Sequence, residues 1–199
     1  MRTHPTPIRE TPGVLAGGPA RSRVVTWQDP AVIVAAARGR SGLDTLRAIR
    51  DGVVPLPPMA RLLQMELVGL AEGRVEVTGL VDESVSNPFG VVHGGLVSAL
   101  LDTVAGWAVQ TTLPEGSGIT SIELKVNFLR PVYVSSGPLT AVGAVVRPGR
   151  RVAFAEGQVR NAIGRVVATA TSSLLVIPLQ PEAGAPTVRP DAMSEEGIR

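Results

Sequence analysis

The sequence predicts an α+β domain in which an antiparallel β-sheet wraps around one long central helix. The stretch from residue 94 to about residue 112 is almost wholly apolar and opens with Gly94-Gly95, which is typical of a helix buried on nearly all sides. On both sides of it, strand-like segments come in pairs joined by turns, Ala71-Glu-Gly73 and Pro148-Gly149. One apolar helix flanked by hairpins favours a sheet that curls around that helix.

Strand signals account for most of the chain around this helix. Ile122 to Phe128 alternate apolar and polar residues with a period of two, as a half-buried strand does. The predicted strands cover residues 63–70, 74–81, 122–128, 139–147, 152–160 and 165–177. The expected order is therefore two strands, the helix, and then three or four strands.

Proline, glycine and apolar residues divide the chain into four regions. Residues 1–26 are rich in Pro, Gly and Arg and are predicted to be a disordered tail. Residues 27–58 are predicted to hold a helical extension and a linker. Residues 59–178 are predicted to form the main domain, and residues 179–199 a flexible C-terminal tail.

Two capping signals predict short helices in the extension. Asp29-Pro30 places an N-cap residue before a proline at the first helical position, and Gly39 is a stop signal. Ser41 caps a second helix, which Gly52 ends. The proline-rich residues 53–58 then form an extended linker into the main domain.

Composition excludes several classes of function. There are no cysteines, so thiolate metal sites and a cysteine nucleophile are excluded, and the two histidines, His4 and His93, are too far apart in sequence to indicate a metal site. The net charge is only +2, and the 18 arginines are scattered with few aromatic residues, which argues against nucleic-acid binding. No apolar run reaches the ~20 residues of a bilayer-spanning helix, and no signal peptide is recognisable. We therefore expect a cytoplasmic protein without a membrane partner.

The start of the central helix and one acid inside it are the most informative features. Gly94-Gly95 leaves the first helical turn without side chains, so its free N–H groups and the positive end of the helix dipole can face a ligand oxygen. Asp102 lies in an otherwise apolar stretch, where burying an unpaired carboxylate costs several kcal/mol, roughly. An anion-binding helix end and an unexplained acid suggest a site for acyl-carbonyl chemistry.

The spacing of these two features predicts a dimer. Gly94 and Asp102 are eight residues apart, so they lie roughly 12 Å apart along one helix. A carboxylate at that distance cannot act on a carbonyl held at its own helix's N-terminus. Two helices packed antiparallel about a two-fold axis bring each N-terminus beside the other's acid. If both groups act together, they therefore come from different subunits.

The pattern Asn87-x-x-Gly90-x-x-His93-Gly94-Gly95-x6-Asp102, followed by the strand Ser121 to Pro131, closely resembles the hotdog-fold acyl-CoA thioesterases of the phenylacetic-acid-degradation (PaaI) type. The resemblance covers about residues 59–178. It implies a hotdog domain there, homodimers with a continuous sheet and often homotetramers. It also implies hydrolysis of an aryl- or alkyl-acyl-CoA to free acid and CoA, without a cofactor beyond the CoA of the substrate.

The resemblance also implies roles for five residues. The Gly94 N–H would polarise the thioester carbonyl and stabilise the developing oxyanion. Asp102 of the partner subunit would be nucleophile or general base. Asn87 would orient the water or the carboxylate, His93 would contact the thioester or brace the loop, and Ser121 matches the hydroxyl beside the acid.

Each of these residues also has a structural interpretation. Gly94-Gly95 can serve close packing, Asp102 can be an acid bonded to Ser or Thr, and His93 and Asn87 can be loop and turn residues. Ser121 can be an ordinary strand serine. The arginines of one hairpin are candidate contacts for CoA phosphates, with solvated turn residues as the alternative; they are Arg147, Arg150 and Arg151.

Two other functions compete with hydrolysis. A non-catalytic acyl-CoA sensor would be expected to lose the acid, whereas Asp102 is present. A hotdog hydratase or dehydratase would need a histidine base paired with an acid, and His93 is the one histidine in the relevant region. A serine hydrolase is disfavoured because the chain has no Gly-x-Ser-x-Gly motif. The acyl group does not follow from the sequence.

Overall fold

The computed structural model describes residues 18–179; the parts of both predicted tails at residues 1–17 and 180–199, and His4, lie outside the described residues. The helices and strands in chain order are α1 (Pro30–Ala37), α2 (Gly42–Arg50), α3 (Pro58–Leu62), β1 (Met65–Ala71), β2 (Arg74–Gly79), α4 (Gly94–Gln110), β3 (Ser117–Phe128), β4 (Leu139–Arg147), β5 (Val152–Arg160) and β6 (Val166–Pro178). Two 3₁₀ turns cover Glu83–Val85 and Val134–Ser136.

The six strands form one antiparallel sheet in the order β1-β2-β4-β5-β6-β3, and α4 packs against it. The predicted architecture, with helices before the domain, is confirmed, and of the three or four strands expected after the helix the structure has four. The hairpin strands β4 and β5 have the predicted bounds, because the Pro148-Gly149 turn ends both runs of alternation.

Three predicted strand boundaries are wrong by two residues or more. The second strand ends at Gly79 and not at residue 81, because its partner β1 begins only at Met65, which pairs with Gly79. Residues 63 and 64 end a short helix instead of opening a strand, because Pro58 suits the first helical turn and Gln64 adopts a φ of +52°. The third strand begins at Ser117, earlier than expected. A bulge between Ser121 and Glu123 interrupts its alternation, so the period-two pattern becomes recognisable only after it.

The core lies between α4 and the inner face of the sheet. On the helix, Leu100, Leu101 and Val104 are fully buried, and they pack with small and branched residues of the strands. The helix backbone comes very close to β4 at Gly143, where an added Cβ would lie 2.2 Å from the Val104 carbonyl oxygen. Glycine is therefore required at that position for the observed packing.

The prediction that α4 is buried on nearly all sides is too strong. One stripe of the helix, spaced by three or four residues, is only half-buried. Its members are Ser98, Ala99, Asp102, Thr103, Trp107 and Gln110. Asp102 is thus on a face of α4 that its own chain does not cover, which is a correction to the prediction of a buried acid.

The extension before the domain is anchored at two places. Helix α2 buries Leu46 and Ile49, and the Gly42 N–H donates to the Leu113 carbonyl just after α4, with an N···O distance of 3.0 Å. Ahead of the helices, Arg21 and Arg23 form ion pairs with Glu83 and Asp82. Within residues 18–179, no helix is both long and apolar enough to cross a membrane.

Candidate active site

The first turn of α4 leaves one backbone donor unpaired. His93 is the N-cap residue, and its Nδ1 accepts the Gly95 N–H at 2.9 Å. The His93 carbonyl accepts the Leu96 N–H at 3.0 Å. Within the described part of the chain, the Gly94 N–H has no acceptor. It is therefore the donor that this helix end offers to a ligand oxygen.

A tight, hydrogen-bonded loop fixes the position of the first turn of α4. The Asn87 side-chain oxygen accepts the N–H groups of Phe89 and Val91, at 2.9 and 3.1 Å, and so closes the turn that Gly90 completes with a φ of +74°. The His93 N–H donates to the Val85 carbonyl at 2.7 Å. Asn87 is thus engaged as a turn residue through its oxygen. Its amide nitrogen donates no hydrogen bond within residues 18–179 and stays available to a ligand or water.

The 3₁₀ turn before this loop is itself capped by an acid. Asp82 accepts hydrogen bonds from the hydroxyl and the N–H of Ser84, from the Gln64 amide at 3.2 Å and from Arg23 at 2.9 Å. The bonds from Ser84 are the main reason that the pKa of the Asp82 carboxyl lies below its usual range. This acid therefore links the start of the domain to the segment that holds His93.

The Gly94-Gly95 pair has both a packing role and an open donor. An added Cβ at Gly95 would lie 2.9 Å from His93 Nδ1 and would displace the capping imidazole. An added Cβ at Gly94 would lie 3.1 Å from the Phe128 ring, which is 58% exposed and able to move. The packing constraint is therefore strict at Gly95 and mild at Gly94.

An apolar cleft lies next to the Gly94 N–H. Its volume is about 380 Å³, and half of the residues that line it are valines, with Phe128 among the others. Arg130 is the charged residue among those that line it. Sequence reasoning missed Arg130 as a site residue, although its place at the end of the strand that follows the acid was a usable signal.

The structure brings Asp102 together with Ser121. The Ser121 hydroxyl donates to Asp102 Oδ1 at 2.7 Å, from β3 to the half-buried stripe of α4. This is the contact that the structural interpretation of the acid requires, and it also holds the carboxylate in one orientation. Within one chain Asp102 remains about two helical turns from Gly94, roughly 12 Å along the axis.

The helix cap fixes the tautomer of the neutral His93 side chain. Because Nδ1 accepts the Gly95 N–H, the neutral imidazole carries its proton on Nε2. A base at Nδ1 would have to give up the helix cap. This geometry weakens the hydratase interpretation, which needs His93 as a base. Among residues 18–179, no group of three or more His, Asp or Glu side chains is placed to hold a metal ion.

The hairpin arginines lie elsewhere. Arg147, Arg150 and Arg151 are exposed at the β4–β5 turn, and Arg150 lines a second cleft with Leu113, just after the C-terminal end of α4. In the same chain they are therefore at the opposite end of the helix from Gly94.

Comparisons with known proteins identify the family of this chain. The sequence profile of the thioesterase superfamily matches residues 89–168. A protein of Saccharolobus solfataricus whose name marks it as a candidate esterase is 31% identical over 134 residues, which are 67% of this chain and 94% of the relative. The acyl-coenzyme A thioesterase 13 of Homo sapiens is 26% identical over 126 residues, 62% of this chain and 89% of the relative.

Solved structures give the same result. A thioesterase from Haemophilus influenzae superposes with a TM-score of 0.61 at 27% identity, over 71% of this chain and 94% of that one. The E. coli PaaI protein shares the fold, with a TM-score of 0.60 at 22% identity. The match extends over 69% of this chain and 94% of that one. A Streptococcus mutans protein bound to acetyl CoA has a TM-score of 0.53 at 27% identity, over 57% and 89% of the two chains. This chain therefore belongs to the thioesterase superfamily, a family of thioester hydrolases, and has its hotdog fold.

Proposed function

We propose that the protein hydrolyses an acyl-CoA thioester to the free acid and CoA. The observation that carries this proposal is the unpaired Gly94 N–H at a helix N-terminus beside an apolar cleft. Such a donor stabilises negative charge on a carbonyl oxygen, and the cleft excludes water from part of the substrate. The names of the human relative and the acetyl CoA in the Streptococcus mutans structure support CoA thioesters as the substrate class.

Asp102 of the partner subunit supplies the attack on the carbonyl in this proposal. As a general base it takes a proton from water, the hydroxide adds to the carbonyl carbon, and the C–S bond then breaks to release the thiol. As a nucleophile it forms an anhydride and releases the thiolate, and water then hydrolyses the anhydride. Ser121 holds Oδ1 in either case, which leaves Oδ2 for the reaction.

Two surfaces of the single chain support a two-chain site. Strand β3 is an edge of the sheet. Ile122 on this strand is 55% exposed, and Leu129 just after it is 51% exposed. An edge strand with exposed apolar residues is a template for pairing with another strand. The half-buried stripe of α4 that carries Asp102 also lacks cover. A homodimer that joins two β3 edges and packs two α4 helices antiparallel covers both surfaces, and a homotetramer of such dimers is compatible with it.

The activity is tested by measuring thiol release from a panel of aryl- and alkyl-CoA thioesters. We expect the wild type to release CoA from at least one of them and Asp102→Ala to lose most of that rate. A wild type that binds acyl-CoA without releasing thiol would make the protein a sensor. Hydrolysis by Asp102→Ala at the wild-type rate would remove Asp102 from the mechanism.

Subunit complementation tests whether the site is shared. Gly94→Pro deletes the N–H at the first helical position, where proline is favoured, and the φ of −62° and ψ of 133° at His93 suit a residue before proline. Homodimers of Gly94→Pro and of Asp102→Ala should both be inactive. Mixing and re-forming them should restore about a quarter of wild-type activity, because half of the dimers are mixed and each mixed dimer has one intact site. If verified mixed dimers recover no activity, the two residues either act within one chain or do not act in the same site.

A further inference from the structure

Three arginines surround the beginning of β6. The Arg130 guanidinium donates to the Val166 carbonyl at 2.5 Å, and that of Arg160 donates to the Gly164 carbonyl at 2.9 Å. Arg165 lies between these two carbonyls in sequence, and its side chain is exposed. The three side chains therefore share one end of the sheet, on both sides of β6.

None of these three arginines is neutralised by the described part of the chain. Within residues 18–179 none of their side chains has a carboxylate within ion-pair distance. The acids beside the helix start, Asp82 and Glu83, are already paired with Arg23 and Arg21. The positive end of the α4 dipole points to the same side. This end of the molecule therefore has an excess of positive charge.

The cluster is continuous with the cleft beside Gly94. Arg130 and Val167 both line that cleft, and the N–H of Arg130 donates to the Val167 carbonyl at 3.2 Å. The hairpin arginines are far away in the same chain. Thr140 pairs with Arg160, and Arg147 is seven residues further along β4, about 23 Å at the rise of a strand.

We propose that Arg130, Arg160 and Arg165 bind the phosphate groups of the CoA whose thioester enters the cleft beside Gly94. This proposal rests on the proposed function. CoA carries a diphosphate and a 3′-phosphate, which are the groups that arginine forks recognise best. The pantetheine arm carries no phosphate and follows the apolar cleft. The chain that supplies the oxyanion donor thus also holds the nucleotide end of the substrate.

The test compares substrates with and without phosphates. The triple variant Arg130→Gln/Arg160→Gln/Arg165→Gln should raise KM for an acyl-CoA by about tenfold, with kcat nearly unchanged, since exposed ion pairs contribute modestly and add up. Its kcat/KM for the matching S-acyl-pantetheine should stay within about twofold of wild type. The matching Arg→Lys triple variant keeps the charges and should recover most of the affinity. Calorimetric binding of CoA and of pantetheine to each variant gives the same comparison without turnover.

The rival site supplies the matched control. Arg147→Gln/Arg150→Gln/Arg151→Gln removes the same charge from the β4–β5 turn and should leave KM for acyl-CoA unchanged. The proposal is overturned if this control raises KM instead, or if the first variant affects acyl-CoA and acyl-pantetheine equally. Hydrolysis of acyl-pantetheine reports on the proposed function separately. The phosphate site can therefore be disproved by the KM comparison while hydrolysis of acyl-pantetheine still supports the proposed function.

Discussion

The two ends of α4 differ in how the protein treats free backbone groups. At the C-terminal end, the Thr111 hydroxyl donates to the Ala108 carbonyl at 2.6 Å and accepts the Gly73 N–H at 2.7 Å. Just beyond it, the Leu113 carbonyl accepts the Gly42 N–H of α2 at 3.0 Å. At the N-terminal end, the Gly94 N–H has no acceptor within residues 18–179 and lies beside a cleft.

Every helix has unpaired backbone groups at both ends. Here the chain's own atoms pair groups at the C-terminal end, and the Gly94 N–H at the N-terminal end has no acceptor within residues 18–179. The C-terminal end is closed by side chains and by a second helix, which stabilises the domain. The N-terminal end is held in place by its loop while one donor stays open. In the proposed mechanism, stability and chemistry are separated along one helix, and variants at each end should affect one and not the other.

The largest expected effect is on activity at the open end. Gly94→Pro should lower kcat by about a hundredfold to a thousandfold, because it removes the proposed oxyanion donor and keeps the helix start. The control Gly94→Ala keeps the N–H and adds a Cβ 3.1 Å from the exposed Phe128 ring, so it should retain most of the activity. The measurement is kcat for thiol release, with circular dichroism to confirm folding. Equal losses in both variants would mean that packing, and not the N–H, makes Gly94 necessary.

The next effect is on stability at the closed end. Gly42→Ala places a Cβ 1.8 Å from the Gln110 carbonyl oxygen, which forces α2 away from the end of α4. We expect a loss of about 2–3 kcal/mol in the free energy of unfolding, as for overpacked sites. Gly18→Ala is the control, since nothing lies within 4 Å of its added Cβ. Chemical denaturation measures both, and kcat of the folded Gly42→Ala fraction should match wild type. An unchanged free energy of unfolding would contradict the close packing of α2 against the end of α4.

A smaller effect should follow from the contact that orients the acid. Ser121→Ala removes the hydroxyl that donates to Asp102 Oδ1 at 2.7 Å, and we expect kcat to fall by about tenfold, since hydrogen bonds to charged groups contribute roughly 1.5–3 kcal/mol. Ser121→Thr retains a hydroxyl and should restore part of the rate. A rate unaffected by Ser121→Ala, together with lower stability, would favour the structural interpretation of this pair.

The smallest effect concerns pH. The pKa of Asp82 is lowered in the folded state, so the stability it contributes is present above the usual aspartate range and is lost as the pH falls through the lowered pKa. We expect the Tm of wild type to fall more steeply below pH ~4 than that of Asp82→Asn. Asp51→Asn, which changes an exposed acid bonded to its neighbour Arg50, is the control. Parallel Tm curves for wild type and Asp82→Asn would exclude this contribution.

Much of the fold is readable from local rules. The Asp29 and Ser41 caps accept the backbone hydrogen bonds that their positions predict, and β4 and β5 end where the turn residues indicate. The motif from Asn87 to Asp102, which contains the glycine pair at the start of the long helix, also indicates the family. These features depend on residues close together in sequence, so composition and spacing are enough to recognise them.

Contacts between distant residues were decided by the tertiary structure alone. A bulge in β3 places Ser121 against Asp102, strand pairing brings Arg130 and Arg160 to the same end of β6, and Gly42 closes the end of α4. Each depends on strand register and helix packing across at least 19 residues of sequence. Hydrophobic periodicity shows which face of a strand is buried, but it carries no record of which partner that strand will meet.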